Sequence, residues 1–349
     1  VIDFRYHLVS IVAVFLALAV GLVLGTTMLQ DPLLDTLKSE TGELREQSDR
    51  LRADKEGSEA FGEGADQMTA ALAGDVLDGR LDGEDVVIVS SPGADEALRE
   101  GMEQRIEQAG GSVEGRIAFT ETYLDSSRSA FVDELTEQLA EGIEPDGEGP
   151  YERAGSLLAA AVSAERADKA DKDAGGEGGF DGETVLAGFA EADLLATEGE
   201  PAGAADIAVV LAPAAPFPGA EEGGEQPPGN GIMIALLRAF NDGGTENGAV
   251  LVGAADAAGP GGLIAQARTE KARYTTADAA GRPTGDVAAV LALAAAAEGD
   301  TGHFGTGEGA ESFVPDPLPE SRDTEDAEDT EEDASATGSE RRSPPEGRP

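Results

Sequence analysis

The sequence contains no cysteine and no tryptophan. The first absence excludes disulfides, thiolate nucleophiles and Cys-ligated zinc or copper. Tyrosine and phenylalanine number only 4 and 11, which leaves little material for ring-stacking pockets. Basic residues are scarce: 24 Lys and Arg face 70 Asp and Glu, for a formal charge of −46. No basic patch is available to neutralise phosphates, so nucleic acid is not an expected partner. Docking on anionic lipid surfaces is disfavoured for the same reason. Such acidity fits a salt-adapted habitat, where ionic strength screens self-repulsion. The length of 349 residues allows an anchor plus one or two modest domains.

Against this hydrophilic background stands HLVSIVAVFLALAVGLVLG, residues 7–25. Leu8 to Leu24 carries no charge, Ser10 is the lone polar interruption, and Met28 and Leu29 follow shortly after. A helix needs about 20 residues at 1.5 Å each to cross a hydrocarbon core of roughly 30 Å. A secretory signal has a shorter apolar region and a small-residue cleavage site, which Gly25-Thr26-Thr27-Met28 matches poorly. A core helix would show a polar stripe, and this segment has none. A membrane anchor is therefore expected. Arg5 precedes the span, offset in part by Asp3, whereas Asp31, Asp35 and Glu40 follow it against Lys38. The positive-inside tendency places the N-terminus in the cytoplasm and the rest of the chain outside.

Ala13, Ala17, Gly21 and Gly25 recur every four residues, a small-residue face on which two spans can approach closely. Asp31-Pro32 then reads as a helix start, with Asp as cap and Pro at the first helical position. In LLDTLKSETGELREQSDRLRADKE, Leu37, Leu44 and Leu51 are seven apart. Leu34 takes the companion seam position, which Thr41, Ser48 and Lys55 continue. One seam position is apolar and the other mostly polar, the pattern of a half-made coiled coil that a membrane-held dimer would favour. Gly57, Gly62 and Gly64 are expected to loosen the chain before a second helix over 65–77.

The remainder alternates short apolar runs with helical periodicity. Val86–Val89 reads as a strand buried on both faces, Ser90-Ser91-Pro92-Gly93 as a turn, and the segment with Ala97, Met102 and Ile106 as a helix ending at Gly110-Gly111. A strand over 115–120 and a helix over 128–141 follow, then a helix over 151–167 and a loop over 169–181. Strands are expected at Ile207–Leu211 and Ala249–Val252, with an edge strand at 273–276. A Pro/Gly/Glu loop over 212–229 leads to a helix over 230–240 with Asn230 as cap. A short helix over 263–267 comes next, and VAAVLALAAAAEG from Val287 forms the last helix. Crossovers of this length imply a mostly parallel, Rossmann-like α/β domain. Residues 316–349 hold 12 acidic and 4 basic residues with many Pro, Ser and Thr, the composition of a disordered acidic tail. The expected organisation is a cytoplasmic N-terminus with transmembrane anchor (1–30), a coiled-coil helix (31–60), an extracytoplasmic α/β domain (61–315) and the tail (316–349).

Chemistry has few candidates. SSPGAD at 90–95 lies between a strand and a helix, where phosphate loops occur, but it is neither GxGxxG nor GxxxxGK[ST] and has no lysine. An ordinary turn with a helix cap explains it. The histidines are His7, at the membrane edge, and His303, in the glycine-rich GHFGTGEGAESF. A triad of His303, Ser91 and an Asp has no nucleophile-elbow motif behind it, so catalysis is not expected. Soft metals select thiolates and thioethers. Met28, Met68, Met102 and Met233 are scattered and no ligand pair stands at i, i+3 or i+4, so no dedicated copper site is expected in the monomer, and no cofactor.

VIDFRYHLVSIVAVFLALAVGLVLGTTML, the internal VVIVSSPGAD and the late GRPTGDVAAVLALAAAAEGDTGHFGTGEGAESFVPDPLP together resemble the actinobacterial copper transport protein MctB family, over roughly residues 1–315. The resemblance implies an envelope protein with one anchor, a coiled coil and an α/β domain, acting in copper efflux or homeostasis with copper as the transported ion. The residues themselves imply a membrane-bound homo-oligomer formed through anchor and coiled coil. They leave open an alternative, a non-enzymatic scaffold that recruits cell-envelope or cell-wall partners.

Overall fold

The computed structural model describes residues 4–163, 180–203, 205–219, 227–245, 247–270 and 274–322, with 26–37 and 243–244 described by their backbone alone. The chain divides into two units, 1–65 and 66–349. Helix α1 runs over Phe4–Leu77. Its first part, Phe4–Gly25, is 22 residues of mean hydropathy 2.8 with no buried surface, long and apolar enough to cross a membrane. The helix does not restart at Asp31-Pro32, so Pro32 is an interior residue and one i→i−4 backbone bond is lost there. Nor does it loosen at Gly57, Gly62 and Gly64. Each glycine costs about 1 kcal/mol relative to alanine, but helix propagation is cooperative and the surrounding Ala, Glu, Leu and Lys are good formers.

The second unit is built on one seven-stranded sheet in the order β3-β2-β1-β4-β5-β6-β7. The strands are β1 (Asp85–Ser90), β2 (Ser112–Phe119), β3 (Leu195–Gly199), β4 (Ile207–Leu211), β5 (Ala249–Val252), β6 (Thr275–Ala277) and β7 (His303–Phe304). All pairings are parallel except β2 with β3, which is an antiparallel edge. Central β4 and β5, IAVVL and AVLV, are buried at every residue, because helices cover both faces of a parallel sheet. The β1–β2 register shifts between Val86 and Val87, after which Val87 faces Gly115. A Cβ on Gly115 would lie 2.6 Å from Pro201, so glycine is the residue that lets the chain after β3 pass there.

The helices form two layers. On one face, α2 (Glu96–Gln108), α8 (Pro283–Ala297) and the end of α1 cover Val86, Ile88, Ile207 and Val209. On the other, α3 (Ser129–Leu139), α4 (Pro150–Val162), α5 (Gly182–Glu191), α6 (Pro228–Ala239) and α7 (Leu263–Thr269) cover Val87, Val89, Val210 and Leu251. Helix α8 is buried from Gly285 to Ala296 and, Asp286 apart, apolar all round that stretch, as a helix enclosed by neighbours must be. It begins four residues before the expected Val287, with Pro283 at its first position, where the missing N–H costs nothing.

Several boundaries differ from the sequence reading. Asn230 is not a cap: α6 starts at Pro228, and Asn230 is buried in its first turn with Nδ2 donating to the Gly261 carbonyl at 3.1 Å. The edge strand expected at 273–276 is β6, an interior strand between β5 and β7. Strand β2 begins at Ser112 rather than 115, and α4 ends at Val162. The remainder of the helix expected to 167, the loop over 169–179, residues 220–226 of the Pro/Gly/Glu loop and tail residues 323–349 lie outside the described residues. Residues 316–322, assigned to the tail by composition, are tied to the fold. Ser321 Oγ donates to Asp78 O at 2.8 Å, and Arg322 donates to Asp82 O and, at 2.6 Å, to Glu84 Oε1.

Candidate functional site

The small-residue face Ala13, Ala17, Gly21 and Gly25 is exposed along α1, and a Cβ built on Gly21 or Gly25 meets nothing within 4 Å. On the same helix Leu44 and Leu51, seven residues apart, are 65% and 62% exposed. The side chains of Leu34 and Leu37 lie outside the described residues.

In the second unit, Asp95 of SSPGAD caps α2, its Oδ1 accepting from Ala97 N at 2.7 Å. The motif is therefore a strand–turn–cap, and its acidic cap would repel a phosphate at that helix end. Two hollows open beside it at the carboxyl ends of the strands. One, of about 470 Å³, is bounded by the loops after β1, β2 and β4. The other, of about 350 Å³, lies between the loops after β1, β4, β5 and β6.

His303 opens β7 and Ser91 follows β1, four strands away in the sheet. At about 4.8 Å per strand the two are separated by roughly 19 Å, beyond any hydrogen bond. Instead, His303 Nδ1 meets Thr276 Oγ1 at 3.1 Å. Burial, with the Arg268 charge added, pushes its pKa below the usual histidine value, so the imidazole is neutral at pH 7.

The glycine-rich loop around His303 encloses a buried ion pair that sequence reasoning missed. Arg268 and Asp278, with side chains 3% and 0% exposed, meet at 2.5 Å. Asp278 also accepts from Thr306 N and Gly307 N at 2.7 and 2.9 Å. Arg268 also donates to Thr276 Oγ1, Phe304 O and Glu308 O. Each charge is hydrogen-bonded on several sides, the condition under which a buried pair is tolerated. The glycines follow from it: Gly305 has φ +127°, and a Cβ there would fall 2.0 Å from Asp278 Oδ1. The loop is a clasp around Asp278. Its only sequence trace is the glycine density.

The methionine sulfurs of the described side chains do not converge. Met102 is buried in the α2–α8 layer, Met233 in the opposite layer, and Met68 is exposed on α1. Among the described residues no group of three or more His, Cys, Asp or Glu is placed to hold a metal ion.

These features define a class: an α/β domain carried behind one membrane-length helix, with no evident soft-metal site among its described residues. Comparison with known families adds the rest. Residues 1–315 match the family model described as copper transport outer membrane protein, MctB, and the chain belongs to that family. Relatives named copper transporter MctB in Mycobacterium tuberculosis and Mycobacterium bovis are each 28% identical over 331 residues, covering 90% of this chain and 99% of theirs. A Mycobacterium leprae protein of the same name is 32% identical over 126 residues, covering 36% of this chain and 40% of its own.

Proposed function

We propose that this chain is a single-pass cell-envelope protein of copper efflux or homeostasis, with a cytoplasmic N-terminus and an extracytoplasmic α/β domain. The observation that carries this reading is the family match over residues 1–315 together with the membrane-length helix at Phe4–Gly25. One span cannot line a path, so transport rests on several copies. Their contact runs through the Ala13/Ala17/Gly21/Gly25 face and the Leu34/Leu37/Leu44/Leu51 seam. The chain has no thiolate and its methionines are scattered, so copper passes along carboxylates and carbonyls of the assembly rather than through a soft site in each copy. The protein is not an enzyme on this reading, and nucleic acid is not a partner.

The exposed Leu44 and Leu51 fit equally a second reading, a scaffold whose coiled coil recruits envelope or cell-wall partners. One experiment separates the two: copper sensitivity and cell-associated copper in a deletion strain, complemented by the full chain or by a variant with Leu37, Leu44 and Leu51 changed to Glu. Copper that rises on deletion and returns with the full chain supports transport. Unchanged copper with a defect in envelope shape or division supports the scaffold.

A further inference from the structure

The 470 Å³ cleft lies where connections leave the sheet in opposite directions, from β1 outward to β2 on one side and from β4 outward to β5 on the other. That reversal opens a crevice at the carboxyl ends of adjacent strands, the usual ligand position in an open α/β sheet. The volume falls within the range of small-molecule sites.

Its lining is unusual for this position. Pro92, Pro213, Pro216, Pro218, Pro228 and Phe217 supply apolar walls. Five prolines fix five φ angles, so the walls lose little entropy on binding. Among the described lining residues the charged ones are Glu121 and Asp125, both exposed, with no Lys or Arg. Asp125 is held ionised: hydrogen bonds from Ser127 keep its carboxyl below the usual range. Ser91, Tyr123 and Asn230, whose Oγ, OH and Oδ1 are buried without a hydrogen-bond partner among the described residues, adjoin the lining residues Pro92, Leu124 and Gly229 in the chain.

We propose that this cleft binds a small organic cation, an amine, amidine or guanidinium carried on a flat apolar body. The body lies against proline rings and Phe217, and the cation faces Glu121 and Asp125. A phosphate or carboxylate finds no positive partner there and meets two negative ones, so nucleotides are excluded from the position they occupy in many related sheets.

The test uses the full chain in nanodiscs of zwitterionic lipid at 150 mM salt, with benzamidine as probe and benzoate as its anionic counterpart. Benzamidine binds saturably at one site per chain, with a Kd on the order of 0.1–1 mM for so small a ligand. Benzoate shows no saturable binding. Glu121→Gln weakens benzamidine about 2–5-fold by removing one carboxylate. Ala215→Trp, at an exposed lining position, fills the cleft and abolishes binding while leaving the melting temperature unchanged. Should Ala215→Trp perturb folding, the Glu121→Gln result decides alone. Non-saturable binding that both variants retain would be general attraction to an acidic chain and would overturn the proposal, as would equal binding of benzoate.

Discussion

Asp278→Ala tests the clasp directly. The substitution leaves Arg268, with a side chain 3% exposed, as a buried cation without its partner, and removes the acceptor of Thr306 N and Gly307 N. Breaking one side of a buried ion pair costs about 3–5 kcal/mol. The two N–H groups belong to a loop that can move toward water once released, so little is added beyond that figure. For a domain of this size 1 kcal/mol shifts the melting temperature by about 2–4 °C, which gives a drop of about 6–20 °C. Circular dichroism melting of the full chain in detergent reads it. Asp278→Asn retains an acceptor oxygen for Thr306 N but not the charge, and falls between wild type and Asp278→Ala. Arg268→Met combined with Asp278→Ala removes both charges and loses less than the sum of the single variants. A melting temperature for Asp278→Ala within about 2 °C of wild type would show that the pair contributes nothing and refute the reasoning.

Other expectations follow from the same geometry. Gly305→Ala places a Cβ against Asp278 at positive φ and lowers stability by about 2 kcal/mol or more, measured by urea unfolding. His303 has a folded pKa below its unfolded value, so the unfolded chain binds the proton more readily; stability falls as pH drops below about 6.5, and His303→Gln removes that slope. Burial raises the pKa of Asp286, so its charge destabilises the fold as pH rises above the ordinary carboxyl range. Asp286→Asn keeps an acceptor for Gly281 N and is neutral or stabilising at pH 7 in thermal melts. Leu44→Glu with Leu51→Glu lowers the yield of chemically cross-linked homo-oligomer without moving the melt of the α/β domain.

Legibility in the sequence tracked burial. Strands β1, β4 and β5 stand out as continuous apolar runs because both faces are covered, and the membrane-length helix stands out because lipid tolerates no polar stripe. Strands β3 and β7 did not stand out: LATEG is mostly exposed, and HF is two residues long. Both exist because an adjacent strand offers hydrogen bonds, which is information held elsewhere in the chain. Helix α5 was missed beside a glycine-rich stretch, although Asp181 caps it through Glu183 N. The continuity of α1 through three glycines was hidden because propensity is local and helix propagation is not. Arg268 and Asp278 were invisible among 70 acidic residues; only the fold tells which carboxylate is fully buried. The cleft is half legible, since its prolines read as a loop and its position depends on strand order.

The tether at Ser321 and Arg322 has a mechanical consequence. Ser321 and Arg322 fasten to Asp78, Asp82 and Glu84, the residues that join the end of α1 to β1. Chain entry into the domain and chain exit toward the tail therefore share one anchorage. Tension applied to the tail and resisted through α1 is borne by that anchorage, in shear across a few hydrogen bonds and one ion pair. While that anchorage holds, the sheet stays out of the load path.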